Sequence, residues 1–232
     1  MRMKSIICTI LTTLGLAYFG AMVCHADEAT SASVIEFSCV SWQSLDYPEL
    51  FYRNGDDYIK VEVPQRKRSE VYPLRALQGF ELYTRVVDGE GAARYELVGQ
   101  SMPPAGAGRM LFILEKNGAD TDLPLQVRGF DDSLGASPVG AFCFVNLTEM
   151  ELELHFGESV NALAPDALTV IHDAIPAAGG FIPFFLKDSA DQTVFESRLF
   201  GQPAQRRIMF IYPPQADRRK LSVQSLTESS VR

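Results

Sequence analysis

Three glutamates and a histidine alternate with apolar residues along one short segment of the sequence. The polar residues are Glu149, Glu151, Glu153 and His155, and Met150, Leu152, Leu154 and Phe156 lie between or after them. Strict alternation predicts a β-strand, in which every second side chain lies on the same face. Carboxylates and imidazoles can bind a metal ion or carry out acid–base catalysis. Glu151, Glu153 and His155 are therefore candidate metal ligands, and with Glu149 they are the candidate polar face of an enzyme.

The same row is also typical of a strand with one solvated face. Side chains two residues apart on a strand lie about 7 Å apart, so neighbouring carboxylates need a partner strand to chelate one ion. The sequence has no H-E-x-x-H, C-x-x-C, EF-hand or G-x-S-x-G motif, which are the patterns that specify such sites. We therefore favour the solvated face, and we predict no catalytic residue, no cofactor and a protein that is not an enzyme.

Aromatic residues form a second candidate site. Trp42, Tyr47, Tyr52 and Tyr58 cluster around a segment that is predicted to be a β-hairpin. Exposed aromatic rings with a polar tip are suited to binding a ligand such as a carbohydrate. These four residues are therefore the candidate ligand-binding residues. The competing interpretation is that Trp42 packs in the core of a β-sandwich.

The first 26 residues have the layout of a secretory signal peptide. Arg2 and Lys4 precede an apolar run over residues 5–23, and small residues precede the acidic Asp27. We therefore predict export to the periplasm or the extracellular space. The alternative is an inner-membrane protein held by an uncleaved N-terminal anchor. No later stretch is long and apolar enough to span a membrane, so we predict no membrane span after signal removal.

The net charge of the chain limits the kinds of molecule that it is expected to bind. The formal net charge is −8, whereas binding to nucleic acid or to an anionic membrane requires clustered Lys and Arg. We therefore predict no nucleic acid partner, and expect a protein or glycan partner in the cell envelope.

Two cysteines, Cys39 and Cys143, remain after the predicted signal peptide. In an oxidising compartment they can form a disulfide. This bond would close a loop of about a hundred residues and stabilise the fold by about 4–5 kcal/mol in the chain-entropy model. The alternative is two separate buried thiols that pack as small apolar groups.

The segments that would position these residues are mostly short strands separated by turn signals. Asn54-Gly55 lies between two apolar runs, which predicts a hairpin over 48–63. Prolines and glycines recur too often for long helices, and only a weak helix candidate is present over 161–174, where Pro165 opposes it. The composition and the turn spacing together predict an all-β protein.

A set of short matches indicates an internal repeat over 42–115 and 131–212. Gly79-Phe80, Asp88, Tyr95-Glu96, Gly99-Gln100 and Arg109 to Ile113 recur in the same order as Gly180-Phe181, Asp188, Phe195-Glu196, Gly201-Gln202 and Arg207 to Ile211. In this alignment a second hairpin, made of 140–147 and 150–156, corresponds to the hairpin over 48–63. Each copy is predicted to contain seven strands, the pattern of an immunoglobulin-like sandwich.

We therefore predict two tandem immunoglobulin-like β-sandwich units packed together, with one larger sandwich or barrel as the alternative. The predicted boundaries are 27–116 and 117–214, followed by a polar C-terminal tail over 215–232. A signal peptide followed by two such units resembles the periplasmic pilus chaperones in size and plan. The chain lacks a match to their arginine-plus-lysine cleft, so no residue role is transferred. The duplicated layout also resembles uncharacterised exported bacterial proteins with a duplicated β-sandwich unit, a likeness that implies no activity.

Overall fold

The computed structural model describes residues 34–75, 79–118, 121–172, 180–214 and 220–228. Over these ranges the chain forms strands and no helix, so the predicted all-β class is confirmed. Accordingly, none of the described segments is a helix that could span a membrane. The predicted signal peptide lies outside the described residues.

The first half of the chain forms a sandwich of two four-stranded sheets. Its strands are β1 (Val34–Val40), β2 (Leu50–Asn54), β3 (Asp57–Val61), β4 (Tyr72–Arg75), β5 (Phe80–Val87), β6 (Ala93–Ser101), β7 (Arg109–Lys116) and β8 (Leu125–Asp131). One sheet has the order β4-β1-β7-β8 and the other has the order β3-β2-β5-β6. Strands β1 and β7 are parallel, and the other pairs are antiparallel.

The second half repeats this topology strand for strand. Its strands are β9 (Phe142–Asn146), β10 (Leu152–Phe156), β11 (Ser159–Leu163), β12 (Leu168–Ile171), β13 (Gly180–Lys187), β14 (Thr193–Gly201), β15 (Arg206–Tyr212) and β16 (Ser222–Glu228). The sheets have the orders β12-β9-β15-β16 and β11-β10-β13-β14, and β9 and β15 are the parallel pair. The two tandem sandwich units are thus confirmed.

Three apolar clusters hold the two sandwiches together as four stacked sheets. One cluster fills the first sandwich and another fills the second. The third lies between the sandwiches and contains Leu111 and Ile113 from β7 together with Ile208 and Phe210 from β15. The sheets that contain β7 and β15 therefore face each other, and we call them the inner sheets. The other two sheets, which contain β2 and β10, are the outer sheets.

The same turn closes the β5–β6 and β13–β14 hairpins, as the repeat predicts. The carboxylate of Asp88 accepts hydrogen bonds from the backbone N–H groups two and four residues later, at 3.0 and 2.8 Å. The carboxylate of Asp188 accepts the corresponding two bonds, both at 2.9 Å. Aspartate suits this position because its short side chain can bond to its own turn backbone.

The strand pairing changes the predicted boundaries. Strand β8, which we predicted as the first strand of the second unit, pairs with β7 in the first sandwich. The predicted polar tail over 215–232 contributes β16, which pairs along its whole length with β15. Each sandwich consequently has eight strands rather than seven. The sequence of β16, SVQSLTE, is mostly polar because this strand lies at the edge of its sheet.

The predicted hairpin between 140–147 and 150–156 is wrong. Strand β9 pairs with β12 and β15, and it is the counterpart of β1. All five residues of β9 are buried because an inner strand is covered on both faces. Strand β10 instead pairs with β11, which begins two residues after the Gly157 turn residue, at φ 59°. The weak helix candidate over 161–174 is also wrong, since parts of β11 and β12 lie within it and none of residues 161–172 is helical.

In β7 and β15, the sequence alignment of the two copies differs by one residue from their structural alignment. Phe112 packs in the core of the first sandwich, whereas its sequence match Phe210 packs between the sandwiches. A shift of one residue moves a side chain to the opposite face of a strand. The structural counterpart of Arg109 is therefore Arg206, because the residues two and four positions after each of them face the other sandwich.

Candidate functional site

The four aromatic residues predicted to bind a ligand do not come together. Tyr52 is completely buried, and its hydroxyl donates to the backbone oxygen of Pro73 at 2.9 Å. Trp42 packs between the sandwiches, with its ring 5.6 Å from that of Phe210. Tyr47 packs against the first core. Of the four predicted residues, Tyr58 alone is classed as exposed, at 37 %.

A different set of aromatic rings surrounds Tyr58 on the first outer sheet. The ring of Tyr95 stacks on that of Tyr58 with 3.9 Å between centroids and 3° between planes. Tyr83 lies edge-on to Tyr58 at 5.0 Å, and Phe51 lies edge-on to Tyr95 at 5.2 Å. We call Phe51, Tyr58, Tyr83 and Tyr95 the tyrosine face.

Strand register explains why these four residues meet. Phe51 on β2 lies opposite Tyr83 on β5, and Tyr58 and Tyr95 come from the two edge strands β3 and β6. Because Tyr52 points into the core, the neighbouring Phe51 points outward. The sequence places one of these aromatic residues at an outward position in each of the four strands. Their proximity depends on the order of the strands in the sheet.

Polar groups lie beside the rings. The hydroxyl of Tyr83 donates to the carboxylate of Glu81 at 2.8 Å, and the guanidinium of Arg53 lies 3.7 Å from the same carboxylate. Burial, together with this carboxylate, raises the pKa of Tyr83 to about 12. The phenol therefore stays protonated at neutral pH. Arg85 lies opposite Tyr95 on the adjacent strand. The tyrosine face thus combines ring surface with fixed donors and acceptors.

The acidic row lies on the second outer sheet. Glu153 contacts the Nε2 atom of His155, and the imidazole stacks on Phe185 at 4.3 Å. Glu151 and Glu153 line a groove of about 440 Å³. In the described part of the chain, no group of three His, Cys, Asp or Glu side chains is placed to hold a metal ion. Glu151, Glu153 and His155 therefore do not form the predicted ligand set, and the exposed Glu149 lies in the connection before β10.

Cys39 and Cys143 do not form the possible disulfide, and the alternative of two separate buried thiols is the one observed. Cys39 and Cys143 are both free and both buried. Cys39 packs in the core of the first sandwich, and Cys143 packs in the cluster between the sandwiches, so their side chains lie in different layers. The hydroxyl oxygen of Ser137 lies 2.9 Å from the sulfur of Cys143. Burial raises the pKa of both thiols.

We expect both thiols to resist alkylation in the folded protein. The thiolate is the reactive form, and burial both removes access and raises the pKa. Iodoacetamide at mildly alkaline pH should leave Cys39 and Cys143 unmodified in native protein and modify both after denaturation, as read by peptide mass spectrometry. A native disulfide would instead show both residues protected in denaturant until a reductant is added.

An ionic cluster that sequence reasoning missed lies between the sandwiches. Asp132, in the connection between the two sandwiches, is contacted by Arg68 at 2.6 Å, by Arg206 at 3.1 Å and by Arg109 at 3.4 Å. Glu228 on β16 is a second carboxylate partner of Arg68 and Arg206. Arg206 is 1 % exposed, and it also donates to two backbone oxygens at 3.1 and 3.2 Å. The charges come from distant parts of the sequence, so no local pattern marks them.

No protein family matches the chain, and no curated protein is significantly similar to it.

Proposed function

We propose that the protein is an exported, non-enzymatic binding protein of the cell envelope that holds a carbohydrate on the tyrosine face. The observation that carries the proposal is the stacked pair of Tyr58 and Tyr95. Both rings are more than a third exposed on the outer surface of a sheet, at 37 % and 36 %. Export is the expectation from the N-terminal sequence pattern.

The chemistry of the tyrosine face matches that of a sugar. A pyranose has an apolar C–H face that packs on an aromatic ring and hydroxyl groups that need hydrogen-bond partners. The parts of Tyr58 and Tyr95 that stay exposed around their mutual stack offer the apolar surface. Arg53, Glu81 and Arg85 on the neighbouring strands offer donors and acceptors at its edge. An aromatic surface with a few placed polar groups is the usual composition of a small-molecule site.

Replacing Tyr95 should test this proposal directly. We expect wild-type protein to be retarded in native gels that contain a soluble polysaccharide or to bind members of a glycan array. Tyr95→Ala should weaken this binding by about tenfold or more, the equivalent of about 1.4 kcal/mol. Tyr95→Phe, which keeps the ring, should retain most of it.

Tyr72 supplies a matched control for the loss of a tyrosine. It lies on the inner sheet and stacks on Phe37 at 5.5 Å, away from the tyrosine face. Tyr72→Phe should leave glycan binding unchanged. Failure of the wild-type protein to bind any polysaccharide or array member would reject a carbohydrate ligand, and equal binding by Tyr95→Ala would reject this face.

A further inference from the structure

The second outer sheet exposes two phenylalanines that do not pack in a hydrophobic core. Phe181 on β13 is 67 % exposed and Phe200 on β14 is 40 % exposed. They lie directly opposite each other in the strand register, with ring centroids 5.1 Å apart. The guanidinium of Arg198 lies over the Phe181 ring at 5.2 Å. We call Phe181 and Phe200 the phenylalanine pair.

This exposure is unusual among the phenylalanines of the described residues, since the others are buried or half-buried. Phe is one of the residue types most often buried, and the neighbouring Phe184 on the same strand is 1 % exposed. An outward phenylalanine on a solvated sheet loses the stabilisation that its burial would provide. Apolar side chains grouped on a surface in this way mark interaction sites.

The other end of the same sheet is acidic. The groove there is lined by Glu151, Glu153, Asp188 and Asp191 with a single cation, Lys187. The ammonium group of Lys187 lies 2.7 Å from Asp191 and is thereby neutralised. Glu151 has no ion-pair partner among the described residues. The groove therefore presents an excess of negative charge beside the apolar side chains of Val160 and Ala162.

The distance between the phenylalanine pair and the acidic groove defines the length of the ligand. Phe181 and Lys187 are the outward residues near the two ends of β13, six residues apart. At about 3.3 Å per residue, they are about 20 Å apart along the strand. An extended peptide of similar length therefore reaches from the phenylalanine pair to the groove.

We infer that the second outer sheet binds an extended, basic segment of a partner protein. An apolar side chain of that segment packs on the phenylalanine pair, and a Lys or Arg about six residues away enters the acidic groove. Because the groove is acidic, charge complementarity requires a bound segment of positive charge. Opposite potentials steer association and fix the register of the bound segment. The two outer sheets are the first and last of four layers, about 30 Å apart, so this site is separate from the tyrosine face.

Selection from a random peptide display library against the purified protein tests the inference. We expect enriched peptides to carry an aromatic or aliphatic residue and, five to seven positions away, Lys or Arg. A synthetic peptide of the enriched sequence should bind with an affinity that falls as salt is raised, since charge pairs at a surface are screened. Enrichment of peptides without basic residues, or no enrichment at all, would overturn the inference.

Variants separate specific docking from simple attraction to an acidic protein. Phe181→Ser with Phe200→Ser leaves the charge unchanged and should weaken binding of the synthetic peptide by about tenfold or more. Glu151→Gln with Glu153→Gln should weaken binding and reduce its salt dependence. Tyr95→Ala should leave peptide binding unchanged, so failure of the glycan proposal does not affect this result. Binding that survives the double serine replacement would overturn the site, once circular dichroism shows that the variant is folded.

Discussion

Arg206→Met should lower the free energy of unfolding by about 3–5 kcal/mol, because removing one member of a buried ion-pair network leaves the buried groups that it bonded without that cation and its hydrogen bonds. Arg206 is 1 % exposed and contacts both Asp132 and Glu228. Methionine replaces the apolar stem of the arginine side chain but supplies no donor. Among the described residues, Arg68 and the more distant Arg109 then remain beside the two carboxylates. Urea-induced unfolding followed by circular dichroism measures the change.

The adjacent residue provides the control for this prediction. Arg207 lies on the same strand and is partly buried, but it is not part of the ionic cluster. Arg207→Met should change the free energy of unfolding by about 0.5 kcal/mol or less. Similar losses for the two variants would contradict the role of the cluster. In the double variant Asp132→Asn with Arg206→Met, the loss should be smaller than the sum of the two single losses, because the residues share one network.

Phe37→Ala should destabilise the first sandwich by about 3–5 kcal/mol, the range for deletion of a buried phenylalanine ring. Phe37 is completely buried, and its ring lies 4.8 Å from Tyr52, 5.0 Å from Phe80 and 5.6 Å from Phe112. The surrounding rings belong to both sheets of the sandwich. Closing the cavity would therefore require rings on both sheets to move. Thermal and urea unfolding of the variant measure the loss.

Phe181→Ala is the matched replacement at an exposed position. Phe181 is 67 % exposed, so the variant should unfold within about 0.5 kcal/mol of the wild type. If Phe37→Ala were equally mild, the first core would have to be loosely packed, contrary to the stacked arrangement of its aromatic rings. A large loss for Phe181→Ala would show that this ring supports the fold rather than a binding surface.

Local signals in the sequence were sufficient to predict most of the elements, but not β11, which overlaps the weak helix candidate, or β16, which lies in the predicted polar tail. The Asn54-Gly55 turn and the Asp88 and Asp188 turns all close hairpins where the composition and the repeat indicate them. Turn residues act through their own backbone, so they can be recognised without knowing the rest of the fold. The all-β class and the duplicated plan follow from the number and order of such turns.

Pairing between strands could not be predicted from the same signals. An all-apolar segment such as β9 has no periodicity from which to derive its partners, and its position between two layers is a property of the whole fold. The tyrosine face needs one residue from each of four strands. The prediction that Tyr52 lies on the surface is wrong, because alternation shows which residues share a face but does not show which face is covered.

The packing of the inner sheets resembles the interface of a symmetric dimer. The same sheet of each sandwich forms the junction, and the counterparts Arg109 and Arg206 both contact Asp132. In a two-fold symmetric homodimer, the interface is made by the same surface patch of both subunits. The two sandwiches therefore meet through the same face of each, as the subunits of such a homodimer do. Both outer sheets stay clear of this junction, one with tyrosines and the other with phenylalanines and acidic groups.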